Sequence, residues 1–146
     1  MKAIAQEKYG SPDVLSVTEV DRPAVQKDTV LVRVHAASVN AGDWHLMRGS
    51  PFFIRLMLGG LLKPKFKTIG FDIAGTVEAV GKDVIDFQAG DEVFGDISDC
   101  GFGAFAEYVV ATEDALSLKP NNLTFEEAAA VPGAAMTALQ ALRDVG

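Results

Sequence analysis

Residues 30–37 constrain the fold most, because they carry the clearest strand pattern in the chain. Valines alternate there with leucine, arginine and histidine, which places the two sets on opposite faces of a strand and leaves His35 solvated or interfacial. The pattern breaks at Asn40-Ala41-Gly42, and a short helical or turn segment then presents Asp43, Trp44, His45 and Arg48. Loops that leave a rigid strand often carry functional side chains. An ordinary strand exit with a capping aspartate explains the same residues.

Short strands punctuated by glycine continue to about residue 118, which indicates a mainly β fold. The pattern predicts them at residues 2–8, 15–20, 30–37, 70–81, 91–95, 105–110 and 115–118.

The pattern becomes helical after Lys119-Pro120. Thr124 and Glu127 form a capping box that predicts a helix over residues 126–131. Pro132 suits the first turn of a second helix, which we expect to stop at Gly146. Neither helix has a sheet of its own in the sequence, so we expect a further domain to begin here.

The most apolar segment covers residues 52–62 and is too short to cross a bilayer. We expect it to bury against the core or a partner domain, to wall or cover an apolar substrate, or to touch a membrane surface. Its exposed area, with that of the terminal helices, predicts self-association, as in a homodimer.

Composition excludes several classes of protein. The net charge of −7 argues against a nucleic-acid partner, whose phosphates need a basic face. The single cysteine, Cys100, excludes an internal disulfide and an all-cysteine metal site within one chain. Residues 1–8 lack the apolar run of a signal peptide, so the cytoplasm is the expected compartment.

Several motifs of known chemistry are absent from the sequence. Gly101-Phe102-Gly103 is too short for a dinucleotide fingerprint, and neither a phosphate-binding loop nor a Gly-x-Ser-x-Gly nucleophile turn occurs. Asp96, Asp99 and Cys100 lie close together, but we interpret them as a polar loop. The residues alone thus define a β-rich domain with a candidate site after Val39.

Motifs along nearly the whole chain resemble the N-terminal half of the medium-chain dehydrogenase/reductase superfamily, especially its zinc-free quinone oxidoreductase branch. Each motif is short, and their order and spacing carry the resemblance. They are Met1-Lys2-Ala3, Val30-Leu31-Val32-Arg33-Val34, Ala37-Ser38-Val39-Asn40-x-x-Asp43, Gly70-Phe71-Asp72-x-Ala74-Gly75-Thr76-Val77, Val80-Gly81, Gly90-Asp91-Glu92-Val93-Phe94-Gly95, Gly103-Ala104-Phe105-Ala106-Glu107-Tyr108, Lys119-Pro120, Glu126-Glu127-Ala128-Ala129-Ala130-Val131-Pro132 and Thr137-Ala138-Leu139-Gln140-Ala141-Leu142.

The resemblance implies a GroES-like, partly open β-barrel over residues 1–122. Residues 123–146 would be the helical start of a Rossmann domain that binds NADPH and whose remainder lies beyond this chain. It further implies hydride transfer to a quinone or an α,β-unsaturated carbonyl, with no obligatory side-chain base. The 146-residue chain alone is then expected to be inactive and to bind NADPH poorly.

The resemblance also bears on zinc. Alcohol dehydrogenases of this superfamily carry a catalytic cysteine where this chain has Asn40, and His-Glu where it has Phe71-Asp72. Phenylalanine cannot ligate zinc and an amide ligates it poorly, so we expect no metal. Asp43 matches an aspartate that lies beside the zinc ligands in the family, and it is expected to orient the Asn40 loop.

By the same resemblance, Asn40 and Thr137 approach the cofactor, and the Asn40 amide can hydrogen-bond to cofactor or substrate oxygen. The substrate side would be walled by Trp44, Phe52, Phe53 and Leu56. Two alternatives remain: a relative of the zinc alcohol dehydrogenases, and a non-enzymatic GroES-like interaction module.

Overall fold

A computed structural model describes residues 1–57 and 60–145, and the expected mainly β architecture is confirmed. The predicted stop at Gly146 and the middle of the apolar segment, Leu58 and Gly59, lie outside the described residues. The elements in chain order are β1 Lys2–Gln6, β2 Leu15–Glu19, β3 Thr29–Ala37, α1 Ala41–Arg48, α2 Phe53–Met57, β4 Asp72–Val80, β5 Glu92–Asp96, β6 Tyr108–Thr112, β7 Ser117–Leu118, α3 Phe125–Ala129 and α4 Pro132–Val145.

The strands form two antiparallel sheets. One is the β1–β2 pair and the other has the order β6-β3-β4-β5-β7. Isolated bridges from Ala3 to Ala106 and from Ala5 to Thr68 join the small sheet to the rest. The strands β6 and β7 form the two edges of the large sheet, so the barrel is partly open rather than closed.

The alternation in β3 appears as a burial pattern from Val32 to His35, whereas Leu31, on the face of Arg33, is buried as well. Val30 and Val32 are fully buried, and they pack with side chains of β4 and β5 in the main core. Arg33 and His35, on the other face, are exposed. The strand that the sequence marks most clearly is therefore an inner strand of the large sheet.

Three strands, β4, β6 and β7, begin two or three residues later than predicted, and β6 differs most. β6 starts at Tyr108 rather than at Phe105, because the preceding backbone bonds elsewhere. The amides of Ala104 and Phe105 donate to the carbonyls of Gly70 and Ile69, which lie before β4. Ala104 and Phe105 therefore bond to the segment before β4 and do not extend the pairing of β6 with β3.

The helix α3 packs on the sheet, which corrects the expectation that neither terminal helix has one. The capping box forms: Thr124 N–H donates to Glu127 Oε2 at 2.9 Å, and Glu127 N–H donates to Thr124 Oγ1 at 3.2 Å. Ala128 and Ala129 are buried against Ala74 of β4. The expectation was wrong because alanines this small give no periodic signal, yet they allow close helix–sheet contact.

In the apolar segment, the described residues 52–57 and 61–62 do not join the buried core. Phe52, Phe53 and Leu56 are 63%, 57% and 70% exposed. In the described parts of the chain, no helix combines the length and the apolar character needed to cross a membrane.

Candidate functional site

Asp72, at the first position of β4, is a buried carboxylate that joins three parts of the chain. Its Oδ2 accepts hydrogen bonds from Ser38 Oγ and Asn40 Nδ2, both at 3.1 Å. The backbone N–H of Gly133, in the first turn of α4, donates to both carboxylate oxygens at 3.1 Å. A carboxylate at a helix N-terminus satisfies amides that have no partner within the helix. Asp72 thus ties the strand exit and α4 to the barrel.

The absence of a side chain at Gly133 allows this contact. A Cβ there would lie 3.0 Å from Asp72 Oδ2 and 3.3 Å from the Phe71 ring. A methyl group there would require the carboxylate or the Phe71 ring to shift by a few tenths of an ångström. Glycine therefore allows the closest approach of α4 to the carboxylate.

Asn40 is held through both its side chain and its backbone. Its Nδ2 donates to Asp72 and to Ser38 Oγ, the latter at 3.1 Å. Its backbone N–H donates to Asp43 Oδ2 at 2.8 Å. Because a primary amide has only two N–H donors, this arrangement leaves the side-chain oxygen Oδ1 of Asn40 as the atom that can accept from a ligand, although it also faces the Asp43 N–H at the start of α1. A hydrogen bond from this amide to a cofactor or substrate oxygen would require one of these two bonds to break.

Asp43 lies beneath the Asn40 loop and is only 2% exposed. Its Oδ1 has no hydrogen-bond partner among the described residues. Burial raises the pKa of this carboxyl above its ordinary value, the Asn40 amide opposes the rise, and the nearby charges of Asp72 and Asp96 add to it. The geometry is that of an orienting group, and a catalytic role for Asp43 stays a prediction.

Burial also raises the pKa of Asp72, against hydrogen bonds from Gly133, Asn40 and Ser38 that lower it. Repulsion from Asp96 acts in the same direction as burial. The charged form of Asp72 therefore depends on its three donors.

A cleft of about 440 Å³ opens between the strand exit and α4. Asn40 and Thr137 both line it. Their role in cofactor binding, which the resemblance implies, stays a prediction. The Thr137 hydroxyl donates to the Gly133 carbonyl at 2.7 Å, so its oxygen remains an acceptor. The remaining walls are Ala41, Gly42, Phe71, Asp96, Gly133, Ala134, Met136 and Gln140.

The four residues predicted to wall the substrate do not line this cleft. Trp44 is 45% exposed, and its ring lies 4.9 Å from the guanidinium carbon of Arg48. Phe52, Phe53 and Leu56 lie on the exposed apolar segment. Their role in substrate binding stays a prediction.

Asp72 is the functional candidate that sequence reasoning missed, since it entered only as the residue that stands where the alcohol dehydrogenases have the glutamate of their His-Glu pair. A signal was available: it precedes Ile73-Ala74 at the start of an apolar strand. A charged side chain is seldom buried without partners. What the sequence does not give is the identity of those partners, of which Gly133 lies 61 residues away.

The donor set around Asp72 fits zinc poorly. Its oxygens already accept from an amide, a hydroxyl and a backbone N–H, which a cation would have to displace. His45 Nδ1 is 2.6 Å from the Ser50 carbonyl oxygen, and His35 Nε2 is 3.0 Å from Thr76 Oγ1. Over residues 1–57 and 60–145, no group of three or more His, Cys, Asp or Glu side chains is arranged to hold a metal ion.

Residues 26–121 match the family model of the alcohol dehydrogenase GroES-like domain. The chain is 37% identical to 2-methylene-furan-3-one reductase of Solanum lycopersicum, with 100% of this chain and 38% of that protein covered. It is 40% identical to a chloroplastic quinone-oxidoreductase homolog of Spinacia oleracea, with 97% and 42% covered.

The fold matches that of the quinone oxidoreductase from Coxiella burnetii with a TM-score of 0.88 at 36% sequence identity. That alignment covers 99% of this chain and 44% of the other. The chain thus spans only 38% and 42% of the length of the two curated relatives named above.

Proposed function

The chain belongs to the alcohol dehydrogenase GroES-like domain family, in the quinone oxidoreductase-like branch of the medium-chain dehydrogenase/reductase superfamily, and we propose that it supplies the substrate-side half of a zinc-independent NADPH-dependent reductase. The acceptor would be a quinone or an α,β-unsaturated carbonyl. The observation that carries the proposal is the cleft that both Asn40 and Thr137 line. Residues 1–122 would form the catalytic barrel, and residues 123–146 would lead into a cofactor domain.

The cleft suits the nicotinamide end of the cofactor. Asn40 and Thr137 each offer an oxygen acceptor, since their donors are already used within the chain. The carboxamide N–H₂ and the ribose hydroxyls of a reduced nicotinamide are donors of matching type. When bound, the cofactor supplies a hydride.

The residues of this chain would position the reactants rather than exchange protons. Asp72 holds Asn40 and the start of α4, and Asp43 holds the Asn40 backbone. Hydride addition to the β-carbon of an enone leaves an enolate, whose α-carbon then takes a proton. We assign that proton to water, because Asp72 is buried and engaged with three donors. Rate acceleration then comes from orientation of the reactants in the cleft.

Zinc independence is supported by the engaged oxygens of Asp72 and by the amide at position 40. NADPH in preference to NADH is a part of the proposal that rests on resemblance, and the cytoplasm as the compartment stays a prediction from the sequence.

The direct test is NADPH oxidation by the natural protein that carries these residues, with a quinone and an enone as acceptors. We expect turnover with at least one acceptor and no loss of rate after dialysis against a zinc chelator. Oxidation of a simple alcohol that the chelator abolishes would instead support the zinc alcohol dehydrogenase alternative. The 146-residue chain by itself is expected to show neither turnover nor saturable NADPH binding by fluorescence.

A variant at Thr137 tests the residue assignment. Thr137→Val removes one ligand acceptor from an exposed position, so the KM for NADPH should rise roughly tenfold with a smaller change in kcat. Thr137→Ser keeps the hydroxyl and serves as the matched control. Equal effects of both substitutions on KM would contradict cofactor contact through this oxygen.

A further inference from the structure

Positive charge is concentrated in one stretch of an acidic chain. Residues 44–71 contain five Lys or Arg side chains and no Asp or Glu. The remaining residues carry eight basic against twenty acidic side chains, a net charge of −12. This basic stretch contains the apolar segment that the core does not take up. Basic and apolar residues therefore coincide in one stretch of the sequence.

We call residues 52–57 and 60–62 the apolar lobe. Its exposed side chains are large and include Phe52 at 63%, Leu56 at 70%, Met57 at 76% and Leu62 at 88% exposure. Monomeric proteins seldom present so many large apolar side chains together unless they bind a partner or a membrane.

Hydrogen bonds of Gly60 and Arg55 tie the lobe to itself and to the residues Tyr9 and Gly49 outside it. Tyr9 Oη donates to the Gly60 carbonyl at 2.6 Å, and the Gly60 amide donates to the Arg55 carbonyl at 2.9 Å. Arg55 Nε donates to the Gly49 carbonyl at 2.8 Å. A Cβ at Gly60 would lie 2.6 Å from the Lys63 carbonyl oxygen, so the chain folds back closely there. The polar groups of the segment are thus turned inward, which leaves its apolar side chains facing outward.

Basic side chains follow directly where the chain leaves the lobe. Lys63 and Lys65 are exposed, and no salt bridge to either is formed within the described residues. Lys67, farther on, pairs with Glu7 at 3.2 Å. The two lysines next to the lobe are therefore available to an anionic surface.

We propose that the apolar lobe docks onto a membrane surface that contains anionic lipids. Its aliphatic and aromatic side chains would enter the headgroup–acyl boundary, while Lys63 and Lys65 would meet the lipid phosphates. An anionic bilayer presents negatively charged headgroups next to apolar acyl chains. Lys63 likewise stands directly next to Leu62 of the lobe in the sequence. This is peripheral attachment without a membrane span, and it does not depend on the proposed reductase activity.

Vesicle cosedimentation with the full 146-residue chain tests the proposal. The probes are vesicles of phosphatidylcholine alone and vesicles with about a third phosphatidylglycerol. We expect binding mainly to the anionic vesicles, and we expect salt to weaken it because the lysines are exposed. Lys63→Gln with Lys65→Gln should weaken it roughly thirtyfold, at about fivefold for each cation near the surface.

Leu56→Gln with Leu62→Gln should weaken binding at least about tenfold, since both side chains would leave the acyl boundary. Both positions are exposed, so the fold should tolerate the changes. Ile85→Gln is the matched apolar control, because Ile85 is 88% exposed like Leu62 but lies outside the lobe. Lys27→Gln is the matched control for charge.

Three outcomes would overturn the proposal. The first is no binding of the unaltered chain to anionic vesicles, and the second is equal weakening by the lobe variants and their controls. The third is an oligomer, seen by light scattering, that the double leucine variant dissociates while vesicle binding is absent or unchanged. That result would assign the lobe to contact between copies of this chain.

Discussion

At the scale of single residues, Asp72 is the group on which the candidate site depends. Its carboxylate is fully buried and accepts from a hydroxyl, a side-chain amide and a backbone amide. Those donors come from a strand exit and from a helix that are far apart in the sequence. One carboxylate therefore sets the position of both cleft walls.

Asp72→Asn is expected to destabilise the fold by about 1–3 kcal/mol. The new amide would place N–H donors against the donors of Asn40 or Gly133, and one buried group would lose its partner. Urea unfolding measures the change. Asp99→Asn, at an exposed aspartate, is the control and should stay within about 0.5 kcal/mol of the unaltered chain. An equally small effect at Asp72 would show that the carboxylate does not hold α4.

The burial of the Asp43 carboxyl predicts that the stability of the fold depends on pH. The folded state raises the pKa of this buried carboxyl, and it raises that of Asp72 as well. Their contribution to the free energy of unfolding is thus fully present below the ordinary carboxyl pKa and is lost as pH rises through the folded-state pKa. The substitution Asp43→Asn keeps an oxygen for the Asn40 amide and removes the charge.

The Asp43→Asn variant should consequently be more stable than the unaltered chain near neutral pH, and the difference should shrink as pH falls towards the ordinary carboxyl pKa. Urea unfolding in a pH series provides the measurement. A difference that is constant with pH would mean that Asp43 titrates alike in the folded and unfolded states.

At the scale of elements, local signals were sufficient where the determinants lie within a few residues. The strand alternation of β3 and the capping box of α3 are both local, and both are confirmed. The start of β6 and the packing of α3 depend on contacts with distant segments, which a single sequence does not reveal. Asn40 and Thr137 were placed near one another by resemblance rather than by pattern, and the structure brings them into one cleft.

The cap of α3 offers a test at this scale. Thr124→Ala removes the hydroxyl that accepts from Glu127 N–H, so the free energy of unfolding should fall by about 1 kcal/mol. Thr124→Ser retains the oxygen and should cost only a small part of that value. If thermal and urea unfolding show the same loss for both variants, the lost methyl contacts rather than the cap would explain it.

At the scale of the whole molecule, α4 is fixed at one end and exposed along its length. Met136, Leu139 and Leu142 are 51%, 40% and 74% exposed. We expect this face to cause self-association of the 146-residue chain at high concentration. Leu142→Gln should shift light scattering towards the monomer without changing stability, while Ile85→Gln should leave it unaltered. A monomer at all concentrations in the unaltered chain would contradict this prediction.

The bond between Gly133 and Asp72 has a mechanical consequence. A single N–H, directed between two carboxylate oxygens and 3.1 Å from each, joins the first turn of α4 to the start of β4. Thr137 lies one helical turn beyond Gly133, so a force that displaces this end of α4 strains that bond and shifts a wall of the cleft at the same time. The bond therefore couples the shape of the cleft to whatever pulls on α4.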